Sequence, residues 1–455
     1  MAHTNSLINW TEQQKLVFRI AFVMLIFLCV PTDLEWYQHL INYNWSALHW
    51  NYLYSIAASG RPLEVVTIPG ESGRWGLASY TNTFVIFFIA ILLGLIWTRL
   101  DKKSRHYNKL NYWIRVVARY QLGFAIIAWG YRKIVPLQMM WPPTNLLNTP
   151  LLYIQEQKIY WQSIGIVPSY EIFLGFAEFF SGFFLLFRKT TGLGALLTVV
   201  VLANIVIINH TYDGGVHIPS FTFVLVALIL LWRDLPNVYA LLIKEKTIQP
   251  HHYYYPFSKT WEKYSRYLLK FTGFAIFVVL EFFLHLFGEP KYRVPDRPGL
   301  KNKAGYYHVT EFRLNNRTIA YSPFDSLRWQ DAILEDWATL AFKVNRKEII
   351  DQSNGPSLKP GGGLVDDIDR GWESAGVQGR HFFYYVADTV NQILYLQNKN
   401  KLYRDERQIL HYSFPSKSRI LFSGINEYKD SIYVVLDRID MKYPVISSRH
   451  SAQAF

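Results

Sequence analysis

The chain has 455 residues, half of them apolar and 17% aromatic, and 47 lysines and arginines against 34 acids give it a formal net charge of +13. Apolar runs of near-spanning length make lipid, not nucleic acid, the partner of that basic surplus, so no nucleic-acid partner is expected. Cys29 is the single cysteine, which excludes an intramolecular disulfide and a thiolate metal cluster.

Crossing a bilayer takes about 20 apolar residues. Seven windows reach or approach that length: 15–31, 83–98, 112–137, 169–187, 191–210, 217–232 and 267–287. No small-residue cleavage site follows the first, so it is expected to stay in the chain as a span. The aromatic stretch "EWYQHLINYNWSALHWNYLY" after it carries Trp36, Trp45, Trp50 and Tyr52 and suits a helix lying in the headgroup zone.

Cations alternate from loop to loop. Arg99, Lys102, Lys103, Arg105 and Lys109 separate the second and third windows, Arg188 and Lys189 the fourth and fifth, and Arg233, Lys244, Lys246, Lys259, Lys263 and Arg266 the sixth and seventh. The intervening loops are poor in cations, which places the N-terminus in the cytoplasm and everything beyond 287 on the exoplasmic side. There the pattern changes to alternating runs, "HFFYYVADTVNQILYL", "SRILFSGI" and "DSIYVVLDRI", broken by the loop "DQSNGPSLKPGGG". Period-2 alternation predicts half-buried antiparallel strands and an independent β-sandwich or barrel. The expected organisation is 1–110, N-terminal spans and aromatic loop; 111–235, a helical core; 236–288, a cytoplasmic loop and last span; and 289–455, the β-rich domain.

Polar residues inside apolar windows mark the candidate site. Lys133 lies 14 residues beyond Arg119 in the third window, about 21 Å further along a helix and in the outer half of the bilayer. Glu178 lies at a similar depth in the fourth window, where a carboxylate is costly unless paired. Glu171, Gly175 and Gly182 share its helical face, and the small residues predict close packing into the bundle. The fifth window adds Asn204 and Asn209, followed by Tyr212 and Asp213. One shared site is expected from Lys133, Glu178, Asn204, Asn209 and Asp213. His210, Asp213 and His217 are ligand-type side chains, but they lack the tight helical spacing of a metal pair, and no metal is expected.

The segment "WTRLDKKSRHYNKLNYWIRVVARYQLGFAIIAWGYRKIVPLQMMWPP", with Asp101, Tyr107, Trp113, Arg115, Arg119, Tyr120, Gly130, Lys133, Pro136, Leu137, Gln138, Pro142 and Pro143, resembles the DoxX-like integral membrane proteins. Among these it is most similar to the larger Bacteroidetes-type members with a C-terminal β-domain. The resemblance continues through Glu178 and Gly182 in "FAEFFSGFFLLFRKTTGLGALL" and ends in "LANIVIINHTYD". Trp129 stands where the family pattern leads one to expect tyrosine. The resemblance implies a four-helix bundle core built from the third to sixth spans, in a bacterial inner membrane with the β-domain periplasmic. A more distant resemblance links the bundle to the membrane domain of vitamin K-dependent carboxylase-like proteins, where a lysine near a quinol-type cofactor matters.

On this basis the expected function is a quinone- or isoprenoid-lipid-linked redox role, as enzyme or subunit. Lys133 and Glu178 are the catalytic candidates, and Asn204, Asn209, Tyr212, Asp213, Gln138 and Trp129 are the candidates for holding the ligand. Two alternatives stand beside it. One is a non-enzymatic adaptor or export factor whose β-domain grips a membrane or exported protein; the other is a lipid or metabolite carrier.

Overall fold

The computed structural model describes residues 10–32, 34–57, 66, 77–232, 234–247, 253, 255–288, 293–346, 364–374 and 380–443, apart from the side chains of 77–79. The loop "DQSNGPSLKPGGG" lies outside them. In chain order the helices are α1 (Glu12–Cys29), α2 (Leu34–Asn42), α3 (Trp50–Ala57), α4 (Leu77–Leu100), α5 (Asn108–Ile134), α6 (Thr144–Leu147), α7 (Glu156–Gly165), α8 (Pro168–Leu185), α9 (Thr191–Thr211), α10 (His217–Leu231), α11 (Leu235–Leu242), α12 (Thr260–Phe274) and α13 (Glu281–Phe287). A π-helical turn, Ala275–Leu280, joins the last two. The chain forms two compact units: one holds the described residues 10–138 and 169–288, the other 139–168 together with the described residues from 293 onward.

In the helical unit, Tyr80–Leu100, Thr191–Thr211 and Thr260–Phe287 are long and apolar enough to cross a membrane. Six spans result among the described residues if each of three bent helix pairs counts as one. The third expected window, α5, is not among them. It is 27 residues long and carries Arg115, Arg119, Arg132 and Lys133, and it is also among the most buried helices, with thirteen residues inside. A helix shielded by its neighbours need not be apolar, whereas α4, much of whose surface is exposed, is apolar along its middle on every side.

Local chemistry fixes the helix ends and pairings. Thr11 and Gln14 form a reciprocal capping box at the start of α1, where Gln14 N donates to Thr11 Oγ1 at 3.2 Å and Thr11 N to Gln14 Oε1 at 3.1 Å. Arg19, buried on α1, donates to the Tyr107 hydroxyl, to Thr98 Oγ1 and to the Asp101 carbonyl, tying α1 to α4 and the start of α5. The expected close packing of the small-residue face is observed. A Cβ on Gly175 would lie 2.6 Å from Ile134 N and 2.8 Å from the Gly130 carbonyl, and one on Gly182 2.7 Å from the Gly123 carbonyl. Two glycines on α8 thus oppose two on α5, backbone against backbone.

The second unit contains nine antiparallel strands: β1 (Gly305–Leu314), β2 (Arg317–Thr318), β3 (Asp331–Leu334), β4 (Thr339–Lys343), β5 (Arg380–Asp388), β6 (Ile393–Asn398), β7 (Arg407–Ser413), β8 (Arg419–Ile425) and β9 (Ser431–Ile439). From β3 to β9 each strand pairs with the next, and β1 pairs with both β3 and β9, closing an eight-stranded barrel; β2 is a short extension of β1. Of the two β architectures expected, the structure is therefore the barrel. Alternation sends Tyr307, Phe312, Phe342, Phe383, Tyr385, Leu410 and Phe422 inward, and they fill the interior as eight strands allow.

The boundary of this unit differs from the expected 289–455 by the addition of 139–168, the connection between α5 and α8. Its polar groups find partners on the barrel side. Glu335 at the end of β3 accepts from the backbone N–H of Asn145 at 2.8 Å, from that of Thr144 at 3.1 Å and from Asn145 Nδ2 at 2.6 Å. Lys158 donates to the Trp372 carbonyl at 2.8 Å and lies over the Trp372 ring. Burial pushes the Glu335 carboxyl up to about 7 from its ordinary 4.5. The folded barrel therefore binds this proton more tightly than the unfolded chain does. The resulting stabilisation is full below about 4.5 and is lost as pH rises through about 7. Glu335→Gln should flatten that part of the melting-temperature profile of the whole protein. An unchanged profile would show that another group sets it.

Candidate functional site

Lys133 and Glu178 meet. The Lys133 ammonium lies 2.8 Å from each Glu178 carboxylate oxygen, and the two residues are only 5% and 3% exposed. The glycine seam positions them: Gly130 and Gly175, which face each other across it, each lie three residues before one partner. An ammonium has three N–H donors, and both of its hydrogen-bond partners here are oxygens of one carboxylate. The charge-assisted bonds compensate part of the desolvation cost, and one donor direction is left for a ligand.

The surroundings are aromatic. Trp129, half-buried, lies 5.9 Å from the Lys133 ammonium, measured to the ring centre. The Arg132 guanidinium, next in sequence to Lys133, is faced by the rings of Tyr54 at 4.5 Å, Trp129 at 5.2 Å and Trp50 at 5.4 Å. Gln138, just past the end of α5, is buried, anchors its backbone N–H on the Arg132 carbonyl at 3.1 Å and has no partner for its side-chain oxygen. Trp129 thus lies beside Lys133, and Gln138 is tied through its backbone to the residue before that lysine.

The remaining expected members do not join them. Asn204 is exposed on α9, whereas Asn209 is buried and donates to Ser220 Oγ at 3.3 Å. Five residues separate the two asparagines, about 140° around a helix, so equal depth gave them no common face. Asn209 also accepts at its carbonyl from Gly214 N–H, and Tyr212 is exposed. The Asp213 side chain is 65% exposed, its carboxylate 3.7 Å from His217 Nε2. Asn209, Asp213 and His217 have their contacts within the α9–α10 turn, and among the described residues neither Asn204, Asn209 nor Asp213 forms a hydrogen bond or ion pair with Lys133 or Glu178. No group of three His, Cys, Asp or Glu side chains suited to a metal occurs among the described residues.

Glu281 and His285 were not among the expected site residues, although an acid and a histidine four apart inside the window 267–287 are a sequence signal. Both are buried, at 0% and 1% exposure, on α13, which packs against α3 and α5. The π-helical turn directly before Glu281 widens the helix, and the Tyr131 hydroxyl of α5 donates to its Val278 carbonyl at 2.6 Å.

Comparison with known proteins gives one partial likeness. Over 76 residues the chain is 40% identical to the "Uncharacterized protein YwoB" of Bacillus subtilis (strain 168), a stretch that is 17% of this chain and 49% of that protein. The chain spans about half the length of this curated relative. No protein-family model matches, and no solved structure matches.

Proposed function

We propose that the helical unit binds the polar head of a membrane-dissolved isoprenoid lipid, a quinone above all, and exchanges a proton with it at Lys133 and Glu178. The observation that carries this reading is the buried ion pair with one ammonium donor unused. A buried pair is rarely a net gain in stability over apolar packing, so keeping one is a reason to look for use. A carbonyl oxygen of a quinone head fits that donor, and the Trp129 ring offers an apolar face beside it. Glu178 holds the ammonium in place beside that oxygen, and once the lysine has given its proton to the ligand a new one must reach the lysine from outside the pair. The likeness in sequence to DoxX-like proteins supports the same ligand class. When bound, the quinone would supply the redox chemistry; the chain's own part is to hold, orient and protonate.

The reading places the protein in a bacterial inner membrane with the barrel on the periplasmic side. Two observations support that side: the alternation of cations along the chain, and the folding of the cation-poor connection 139–168 within the barrel unit.

Protein purified with its native lipids should yield a quinone on organic extraction and mass spectrometry, and Lys133→Met should lose it. Full retention in that variant would overturn the reading. An adaptor for a protein partner is a second reading, favoured by the loop between β2 and β3, where Tyr321, Phe324 and Leu327 are all exposed, Phe324 at 85%. Crosslinking from this loop that recovers a stoichiometric partner would favour the adaptor.

A further inference from the structure

Glu281 is fully buried in the helical unit, and among the described residues neither carboxylate oxygen has a hydrogen-bond partner. Its neighbour one turn on, His285, has its Nδ1 2.9 Å from the Glu281 backbone carbonyl. A carbonyl only accepts, so Nδ1 carries the hydrogen and Nε2 of the neutral ring is an acceptor. That Nε2 is also buried and without a partner. Around the imidazole stand the rings of Trp50 at 4.7 Å, on α3, and Tyr131 at 5.7 Å, on α5, and the Tyr131 hydroxyl is committed to Val278. The cation on the facing turn of α5, Arg132, is surrounded by Trp50, Tyr54 and Trp129.

We propose that Glu281 is a proton-binding site within the membrane: it holds a proton as a neutral carboxylic acid, and His285 Nε2, on the same face of α13, is the acceptor to which that proton passes. A charged carboxylate with no donor at either oxygen is a state that apolar surroundings do not support, whereas a neutral acid removes the charge and gains a donor. The donor it gains matches the acceptor that His285 leaves open, and rotation of the Glu281 side chain spans one helical turn. The irregular turn at Ala275–Leu280 directly precedes the regular helix that carries both groups, and such a turn is a frequent mark of a working segment. Glu178 is the internal contrast: equally buried, but held as a carboxylate by Lys133.

This site does not depend on the quinone reading. Loss of quinone binding and loss of the neutral acid are separate results. The direct test is infrared spectroscopy of the whole protein at neutral pH. The Glu335 carboxyl is also partly protonated there, so the reading is taken as a difference: the wild-type minus Glu281→Gln spectrum should show the carbonyl stretch of a buried protonated carboxylic acid, and the wild-type minus Glu178→Gln spectrum should not. A wild-type minus Glu281→Gln difference spectrum with no such band, from a folded variant, would overturn the proposal.

Chemical modification gives the same answer without a variant at position 281. A hydrophobic carbodiimide takes up a carboxylic acid by adding its O–H across one N=C bond, proton to nitrogen and oxygen to carbon. The O-acylisourea so formed rearranges to a stable N-acylurea. Peptide mass spectrometry should find this adduct on Glu281 and not on Glu178. Lys133→Met, which leaves Glu178 to take up a proton, should become modified there as well. An unmodified Glu281 in a sample where Glu178 of Lys133→Met reacts would also overturn the proposal.

Discussion

Lys133→Met is expected to destabilise the helical unit by about 3–5 kcal/mol, because it leaves the Glu178 carboxylate buried with no cation to answer it. Removing both charges should behave differently. In Lys133→Met with Glu178→Leu, two apolar side chains of similar bulk take the place of the pair, and most of the lost stability should return. Thermal melting in detergent reads both changes. The double variant also separates structure from use: if the pair serves only to fix helix register, restored melting should come with unaltered lipid content. If the pair is a site, the fold returns and the quinone does not. A single Lys133→Met variant that melts like the wild type would mean that Glu178 is not held as a charge by this lysine.

The second large effect is steric. Gly175→Val should cost about 3 kcal/mol or more, at or above the upper end for overpacking, since the new side chain meets backbone rather than a flexible tip. The Cβ alone would stand 2.6 Å from Ile134 N, and moving α8 away to relieve it also moves Glu178, three residues on, from Lys133. Lower stability and loss of bound lipid should therefore appear together. Gly192→Ala is the matched control. The nearest atom to its new Cβ is Asp234 Oδ2 at 3.9 Å, an ordinary contact, so melting should hold or rise slightly. Equal effects at the two glycines would show that α5 and α8 are not locked along this seam.

How far the sequence revealed these features follows from the kind of signal each one leaves. Lys133 and Glu178 are visible because a charge inside an apolar run is rare and expensive, and their shared depth follows from counting residues. Depth says nothing of azimuth, and this is where Asn204 was misplaced: on α9 it looks away from Asn209. Glu281 escaped for a different reason. Its run is apolar enough to cross a membrane with the acid included, so hydropathy alone does not flag it. In the barrel, alternation shows the strands one by one, as β7 does with every second residue buried. The closure of β1 on β9 and the bond from Asn145 to Glu335 join residues more than a hundred positions apart, and no local pattern encodes them.

The ring of strands also sets an order of events. Its first strand begins at Gly305 and the strand that closes on it is Ser431–Ile439, so two open edges persist until that last strand has been made. Meanwhile Asn145 and Lys158, synthesised long before, must wait in water for mates that arrive some two hundred residues later. Biogenesis is thus committed to a late, all-at-once closing step. A chain cut short before Ser431 would be an intermediate with sticky margins, prone to pair with its neighbours.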